Sequence, residues 1–235
     1  MNTLTDTFER PIPGEGPVND FPAYTSTHKR APKRAPLAIA HTLTEATGPV
    51  FGEDWTGPAA DDLTRHGTGE AIGQRIIVAG RVLEGDGRPV RNTLLELWQA
   101  NAAGRYVHEK DQHDAPLDPN FIGAGHAITD NEGNFRFLTI LPGAYPWRNS
   151  YNAWRPAHLH FSVFGRSVCS RLVTQMYFPG DPLLALDPIF NSIAVREARE
   201  RLISRYDPEL SQAEYALGYR FDIVLRGRNA TPMGL

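Results

Sequence analysis

Two histidines, His158 and His160, lie two residues apart in the segment HLHFSVF, which has the composition of a β-strand. Successive side chains of a strand point to opposite faces, so both imidazoles project from the same face. Leu159, Phe161 and Val163 then share the other face and pack into a core. The anchored backbone would hold two ring nitrogens in place for a metal ion. A histidine pair with this spacing is, however, also common as a structural or surface feature.

Aromatic and cationic residues are concentrated close to this pair. Tyr145 and Trp147 lie in the segment LPGAYPWRN, and Trp154 and Arg155 come shortly before the first histidine. This concentration predicts a pocket wall beside the imidazoles. Two ordinary alternatives stay open: Arg155 could form a surface ion pair, and Tyr145 or Tyr106 could be buried and hydrogen-bonded to backbone.

The available donor types limit the metal. The chain has a single cysteine, Cys169, so a cysteine-based zinc site is excluded. No Asp or Glu closely follows His160, which argues against the two-histidine, one-carboxylate site of ferrous iron. Tyrosines that complete the site would bind as phenolates, whose hard anionic oxygens favour a trivalent cation such as ferric iron. Spacing alone does not establish such tyrosine ligands, and a copper or zinc site with further His or Asp ligands stays open.

The elements that must position these residues are mostly β-strands. Glycine (21 residues) and proline (19 residues) are scattered between short apolar runs, which favours an all-β sandwich with long loops. In the segment GYRFDIVLRG, Tyr219, Phe221, Ile223 and Leu225 alternate and point one way. Other strands are predicted at RIIVAGRVL, with a turn at residues 85–87 and a return, and at TLLELWQAN, NFRFLTI, HLHFSVF and VCSRLVTQMYF.

Residues 1–36 are polar and proline-rich, and they predict an extended arm ahead of a single catalytic domain over residues 37–235. Tyr24 hints that the arm is ordered, because aromatic residues are uncommon in disordered tails. The arm is therefore either a flexible terminus or a strap that contacts another subunit. Short helices are predicted near residues 37–44 and over residues 192–206, where apolar residues recur at helical spacing.

Composition excludes several functions. The 235 residues are 41% hydrophobic and 22% charged, which suits an ordinary globular domain. A net charge of −3 gives no support to nucleic-acid binding. The N-terminus lacks a signal-peptide pattern, and no run approaches the ~20 apolar residues of a membrane span. A cytoplasmic protein without a nucleic-acid or membrane partner is expected.

Several motifs in one order make nearly the whole chain resemble the intradiol ring-cleaving dioxygenases, in the branch built from homologous α and β subunits. They are FPAYTSTHKRAP, GRPVRNTLLELWQANAAGRY, APLDPNFIGAG, TDNEGNFRFLTILPGAYPWRN, WRPAHLHFSVF, TQMYFPGDPL and GYRFDIVLRG. The resemblance implies a β-sandwich of the intradiol type and one nonhaem ferric ion, Fe(3+), per chain. It also implies that Tyr106 and Tyr145, as tyrosinates, and His158 and His160 bind this iron.

The activity implied by the resemblance is cleavage of a small aromatic diol by dioxygen, between the two hydroxyl-bearing carbons. For this branch the diol is 3,4-dihydroxybenzoate (protocatechuate) and the product is 3-carboxy-cis,cis-muconate, in the β-ketoadipate pathway of aromatic catabolism. The substrate is expected to bind through both oxygens and displace Tyr145, which takes up a proton. A homologous α subunit without iron ligands is expected to complete the pocket in a hetero-oligomer.

The resemblance also assigns roles around the iron. Tyr145, Arg155 and Gln175 are expected to be catalytic, with the arginine stabilising negative charge on the substrate. Trp147 and Ile189 are expected to position the ring, and Tyr24 to reach its carboxylate. Two alternatives remain: a related enzyme for catechol or hydroxyquinol, which usually has a helical N-terminal dimerisation region, or a metal-free transthyretin-like binding module.

Overall fold

A computed structural model describes residues 13–35, 37, 60–164 and 171–233. The strands in these ranges are β1 (Arg75–Leu83), β2 (Leu94–Trp98), β3 (Ala124–Ile128), β4 (Asn134–Ile140), β5 (Tyr145–Pro146), β6 (Trp154–Arg155), β7 (His158–Phe164), β8 (Arg171–Tyr177), β9 (Arg205–Tyr206), β10 (Leu217–Arg220) and β11 (Ile223–Val224). The helices are α1 (Thr27–Arg30), α2 (Pro188–Asn191) and α3 (Arg196–Glu200), with a 3₁₀ turn at Pro182–Ala185. None of these helices has the length and apolar character needed to cross a membrane.

Two main sheets carry the fold, which confirms the predicted all-β class. In the first, β1 pairs antiparallel with β4 and parallel with β10 and β11, and β9 pairs with β10. The second has the order β3-β2-β7-β8, and all its neighbours are antiparallel. A separate small sheet joins β5 to β6. Both main sheets contribute side chains to one core, so they form a sandwich.

The core fixes the orientation of β7. Leu159, Phe161 and Val163 are each 0% exposed, as the alternation predicted. The Phe161 ring lies 6.1 Å from that of Phe137 and 5.7 Å from that of Phe221, both on the opposite sheet. Burying each such side chain contributes about 1.5–3 kcal/mol. A slip of one residue would lose these contacts and turn the strand's polar side chains inward, so the register is strongly specified.

Several predicted strands match the structure. The segments NFRFLTI and HLHFSVF coincide with β4 and β7. The segment GYRFDIVLRG forms β10 and β11 with a short break at Phe221 and Asp222, where Gly80 of β1 passes close by. Its four alternating apolar residues belong to the core or pack against it, as predicted.

Other details of the strand prediction were wrong. The return after the turn at residues 85–87 is only an isolated bridge between Leu83 and Pro89, since proline has no N–H to continue a ladder. The sequence analysis also missed β3, whose segment AGHAI is short and only partly buried. Residues 168–170 of the predicted strand before Phe178, Cys169 among them, lie outside the described residues.

The helix predicted over residues 192–206 was wrong in its extent, because helical geometry within this range is confined to α3. Its apolar residues are nevertheless buried together, as in the cluster that contains Ile193, Ala198 and Leu202. Backbone hydrogen bonds at both ends hold the chain out of the helix: Val18 N to Ser192 O, Val195 N to Gly14 O, Tyr177 N to Leu202 O and Ser204 N to Tyr177 O. Tertiary pairing therefore overrides the local pattern. The helix predicted at residues 37–44 lies outside the described residues, apart from Leu37.

The described part of the N-terminal arm packs on the domain of its own chain. The Asn149 side chain accepts a hydrogen bond from the backbone N–H of Thr25 at 2.9 Å and donates one to the carbonyl of Ala23 at 2.7 Å. These bonds place the Tyr24 ring 5.2 Å from the Trp147 ring. The division into an arm and one domain, and a contact of the arm with another subunit, stay predictions.

The close approach of β1 to the break between β10 and β11 leads to a prediction about stability. A Cβ on Gly80 would lie 1.9 Å from the carbonyl oxygen of Phe221, so one backbone must move. Gly80→Ala is expected to lower the free energy of unfolding by about 2–4 kcal/mol, measured by urea denaturation. The control is Gly16→Ala, whose Cβ meets nothing within 4 Å and should change stability by less than about 0.5 kcal/mol. Equal midpoints for the two variants would contradict this packing.

Candidate functional site

Four oxygen and nitrogen donors converge beside β7. The Nε2 atoms of His158 and His160 lie 3.1 Å apart, and the Tyr145 hydroxyl oxygen lies 3.4 Å from Nε2 of His158. The Tyr106 ring lies 5.4 Å from the Tyr145 ring and 6.4 Å from the His160 ring, between centroids. Two ligands that each bind a first-row metal at about 2.1 Å, near a right angle, are roughly 3–3.5 Å apart. The separations between the donor atoms of Tyr145, His158 and His160 therefore suit a common ion, with the Tyr106 ring close by.

The two histidines are oriented by different neighbours. Nδ1 of His158 lies 2.7 Å from the carbonyl oxygen of Pro156, to which it donates when it carries the proton. That tautomer leaves the lone pair of Nε2 facing the other donors. His160 lies between Trp98 on β2 and Gln175 on β8 in the strand register. The Trp98 ring stacks on the His160 ring with a centroid distance of 4.8 Å and an angle of 2°.

The two tyrosines come from loops that touch each other. Tyr145 lies in β5, and Tyr106 lies in the loop after β2, where its backbone N–H donates to the Asp111 carboxylate at 2.7 Å. Gly104 has a φ of +76°, and a Cβ there would lie 2.2 Å from the carbonyl oxygen of Ala144. Only glycine fits both conditions. This close approach brings the two tyrosine-bearing loops together.

Burial sets the charge of the four donors. It raises the pKa of Tyr106 well above its usual value, and it raises the pKa of Tyr145 against the opposing effect of the Arg155 charge. Burial, followed by the charge of Arg155, lowers the pKa of His160 to about 3 and that of His158 well below its usual value. The imidazoles are therefore neutral with free lone pairs. The two phenols keep their protons unless a highly charged metal ion displaces those protons.

The Tyr106 hydroxyl supports a metal site in a second way. It is buried and has no hydrogen-bond partner among the described residues. Leaving such a group unsatisfied costs about 1–3 kcal/mol. A cation among the four donors would remove this cost. Within the same residues, no group of three or more His, Cys, Asp or Glu could hold a metal, so the tyrosine–histidine set is the candidate.

Arg155 lies in a buried cluster next to the donors and is 3% exposed. Its Nη2 donates to Gln175 Oε1 at 2.6 Å, and it lies 3.0 Å from Tyr177 Oη and 3.1 Å from Asp187 Oδ2. Burial opposes its charge, but the electrostatic influence of the neighbouring Tyr177, Asp187 and Tyr145 outweighs burial and raises its pKa. The guanidinium carbon lies 5.6 Å from the Trp147 ring. The cation is therefore permanent and fixed beside Tyr145.

The remaining predicted residues take up two positions. Trp147 and Tyr24 contact each other on the arm side of Arg155. Ile189 is buried in α2 and lines a small cavity with Gln175 and Tyr177. A larger cleft of about 330 Å³ opens beside Tyr106, lined by Arg105, Val107, His108, Glu109, Asp111, Gln112 and Leu117. Of the four donors, Tyr106 alone lines this cleft.

Sequence reasoning missed Trp98, Asp111 and Asp187. The pair Asp187-Pro188 is a recognisable helix start, with Asp at the N-cap and Pro in the first turn. That signal gives no hint that the same carboxylate pairs with Arg155, 32 residues earlier. The contact of Trp98 with His160 follows from the pairing of β2 and β7, which spacing along the chain does not reveal.

The chain is similar to known dioxygenases over most of its length. The dioxygenase family model matches residues 46–227. The protocatechuate 3,4-dioxygenase beta chain of Burkholderia cepacia is 59% identical over 219 residues, 92% of this chain and 93% of that protein. The protocatechuate 3,4-dioxygenase alpha chain of Pseudomonas putida is 31% identical over 163 residues, 69% of this chain and 76% of that one. The solved dioxygenase domain of a carbohydrate-binding fusion protein from Streptomyces sp. SirexAA-E is 28% identical, has a TM-score of 0.51, and covers 76% of this chain and 93% of its own.

These matches span most of the chain and fit its sandwich fold, so the chain belongs to the intradiol ring-cleaving dioxygenases. It is an enzyme, an oxidoreductase that acts with dioxygen, and the family implies a nonhaem iron cofactor. Within the family, it is similar over nearly its whole length to the Burkholderia cepacia beta chain, in agreement with the branch that its motifs indicated.

Proposed function

We propose that this chain cleaves protocatechuate with dioxygen between its two hydroxyl-bearing carbons, giving 3-carboxy-cis,cis-muconate in the β-ketoadipate pathway. The observation that carries the proposal is the convergence of two tyrosines and two neutral histidines beside a buried arginine. The 59% identity to a protein named for this substrate supports the same choice.

Tyr106, Tyr145, His158 and His160 together hold one Fe(3+) in this proposal. Two phenolates offset two of its three positive charges, which limits the free-energy cost of burying the ion. The iron, when bound, would supply Lewis acidity that lowers the pKa of the diol hydroxyls, and the electrons that reduce dioxygen would come from the ring itself. The buried Tyr106 hydroxyl, which has no hydrogen-bond partner in the described part of the chain, and the lone pairs of the two imidazoles support this set of ligands.

The residues around the donors bind and orient the diol. Tyr145 would accept a proton from a substrate hydroxyl at its own Oη, and burial favours the neutral phenol that results. Arg155 stabilises negative charge on the substrate, and water-free surroundings strengthen that effect. Gln175 fixes the guanidinium by accepting a hydrogen bond from Nη2 at 2.6 Å.

Three further residues position the aromatic ring. Trp147 and Ile189 provide apolar surface, and Tyr24 on the arm binds the ring carboxylate. The contact between Tyr24 and Trp147 supports placing the arm tyrosine at the mouth of the site. The guanidinium of Arg30 lies 4.9 Å from the Tyr24 ring and gives this end of the pocket a positive charge suited to a carboxylate.

A homologous α subunit completes the pocket in the proposed hetero-oligomer. The two relatives named as beta and alpha chains support a two-subunit protein. Exposed apolar side chains also lie in and after the loop that carries Tyr106 and near Arg155, which suits contact with a second chain: Val107, Leu117, Tyr151 and Trp154. A cytoplasmic location stays a prediction from the sequence.

The test of the proposed function is oxygen uptake by this chain co-expressed with its homologous α chain. Uptake with protocatechuate is expected, together with one oxygen molecule consumed per ring cleaved, and a much slower reaction with catechol. Preference for catechol or hydroxyquinol would support the alternative enzyme. A purified complex without iron, inactive on every diol, would support the metal-free binding module.

Tyr106→Phe tests the iron ligands. Removing one phenolate oxygen is expected to weaken iron binding by at least about 10–100-fold, the range seen when residues that merely orient ligands are lost. The reddish charge-transfer band should also weaken and shift, as measured by visible spectroscopy and metal analysis. Tyr215→Phe, which changes a partly exposed tyrosine beside Arg75, is the control and should keep both. An unchanged band and normal iron content in Tyr106→Phe would remove Tyr106 from the ligand set.

Arg155→Ala tests the electrostatic role. Iron content is expected to stay normal while kcat falls by about 10²–10³-fold, the usual effect of losing one preorganised charge-stabilising donor. Arg220→Ala is the control, because Arg220 pairs with Asp207 on the other sheet. A kcat of Arg155→Ala within about twofold of wild type would reject the role.

A further inference from the structure

Asp187 is a completely buried carboxylate with no role in the reaction as proposed so far. It is 0% exposed. Oδ2 lies 3.1 Å from Nη2 of Arg155 and 3.1 Å from Oη of Tyr177, while Oδ1 accepts the backbone N–H of Ile189 at 3.2 Å. One side chain therefore ties together the arginine, a buried tyrosine and the first turn of α2.

We infer that Asp187 is a positioning residue for ring cleavage, which acts by holding the guanidinium of Arg155 in the orientation that stabilises charge on the substrate. This inference rests on the proposed function, since it needs a reaction in which Arg155 acts. It assigns the aspartate no contact with the substrate or the iron.

Capping the helix does not by itself explain an aspartate at this position. Asparagine, serine and aspartate cap helices about equally well, and a neutral residue would avoid burying a second charge. The feature that requires a carboxylate is Arg155, which is 3% exposed. A buried cation without a compensating anion is strongly destabilising, whereas a hydrogen-bonded pair is tolerated. The negative charge of Asp187 therefore serves to compensate the buried positive charge of Arg155.

The restraint on Arg155 acts from one corner of its guanidinium. Nη2 lies within hydrogen-bond distance of Gln175, Tyr177 and Asp187. Nε, in contrast, is buried and has no partner among the described residues. The group is anchored on the side of α2, while its charge acts on Tyr145 and its carbon lies 5.6 Å from the Trp147 ring. The hydrogen bonds to Nη2 therefore fix the orientation of the whole guanidinium.

Of the three acceptors, Asp187 has the strongest influence on this direction. Gln175 and Tyr177 are neutral, and a hydrogen bond to a charged acceptor is roughly twice as strong as one to a neutral acceptor. Tyr177 also contacts both Gln175 and Asp187, so the aspartate keeps the other two acceptors in place. Without it, Arg155 could turn towards another anion, such as the phenolate of Tyr145, and away from the substrate charge that it stabilises. Turnover would then fall although the arginine is still present.

The experiment is a double-mutant cycle on the iron-loaded complex with the α chain. Asp187→Asn keeps a helix cap but removes the charge. Its iron content, visible band and anaerobic dissociation constant for protocatechuate are expected to stay within about threefold of wild type, while kcat falls by about 10–100-fold. In the Arg155→Ala background, the same substitution should change kcat by less than about twofold, because it acts through the arginine.

A matched control is Asp207→Asn. Asp207 also pairs with an arginine, Arg220 at 2.8 Å, and accepts the backbone N–H of Glu209 at 3.1 Å, but it belongs to the other sheet. This variant should keep the wild-type kcat. A similar loss in Asp207→Asn and Asp187→Asn, or independent, multiplying losses for Asp187→Asn and Arg155→Ala, would overturn the positioning role.

Asp187→Glu covers the case in which Asp187→Asn fails to fold. It keeps the negative charge that compensates Arg155, but its extra methylene moves the guanidinium. Iron binding should persist with a reduced kcat, and a wild-type kcat would overturn the inference. An inactive wild-type complex would reject the proposed function together with this inference, whereas an active wild type with an unaffected Asp187→Glu variant would reject the inference alone.

Discussion

The site depends on the alternation of side chains along β7. Leu159, Phe161 and Val163 are sealed into the core, so the backbone between them has one stable orientation. His158 and His160 must then project together from the outer face, where their Nε2 atoms lie 3.1 Å apart. The conformational entropy of His158 and His160 is therefore lost when the sandwich folds, before any metal ion binds. The loops that bring Tyr106 and Tyr145 have only to close over a rigid pair of nitrogens.

The second constraint is the placement of charge where water is scarce. Neutral imidazoles and protonated phenols lie beside a permanently charged arginine, whose own charge is matched by Asp187. The region near the donors can therefore take in further positive charge only when the phenols release their protons. This arrangement favours a small, highly charged cation over a larger cation of lower charge. It also leaves Arg155 available to interact with negative charge that develops on a bound ring.

The sequence predicted well those features that rest on local periodicity. The limits of β4 and β7 follow from β-rich segments, and the buried face of β7 and the shared face of its two histidines follow from alternation. Periodicity failed over residues 192–206, where backbone hydrogen bonds to Gly14, Val18 and Tyr177 hold both ends out of a helix. It also gave no information about Asp187 or about Tyr106, whose neighbours are remote in the chain. Family resemblance supplied the tyrosines, and the structure brings them beside the histidines.

The pairing of β5 with β6 has a consequence for how the site can move. Tyr145 and Arg155 are direct partners in this two-residue ladder. A swing of the main chain that carried the phenol away would drag the guanidinium out of its anchored corner as well. In the proposed reaction, the Tyr145 hydroxyl would therefore move by torsion about its own Cα–Cβ bond. The Tyr145 side chain can therefore rotate while the Arg155 guanidinium beside it stays in place.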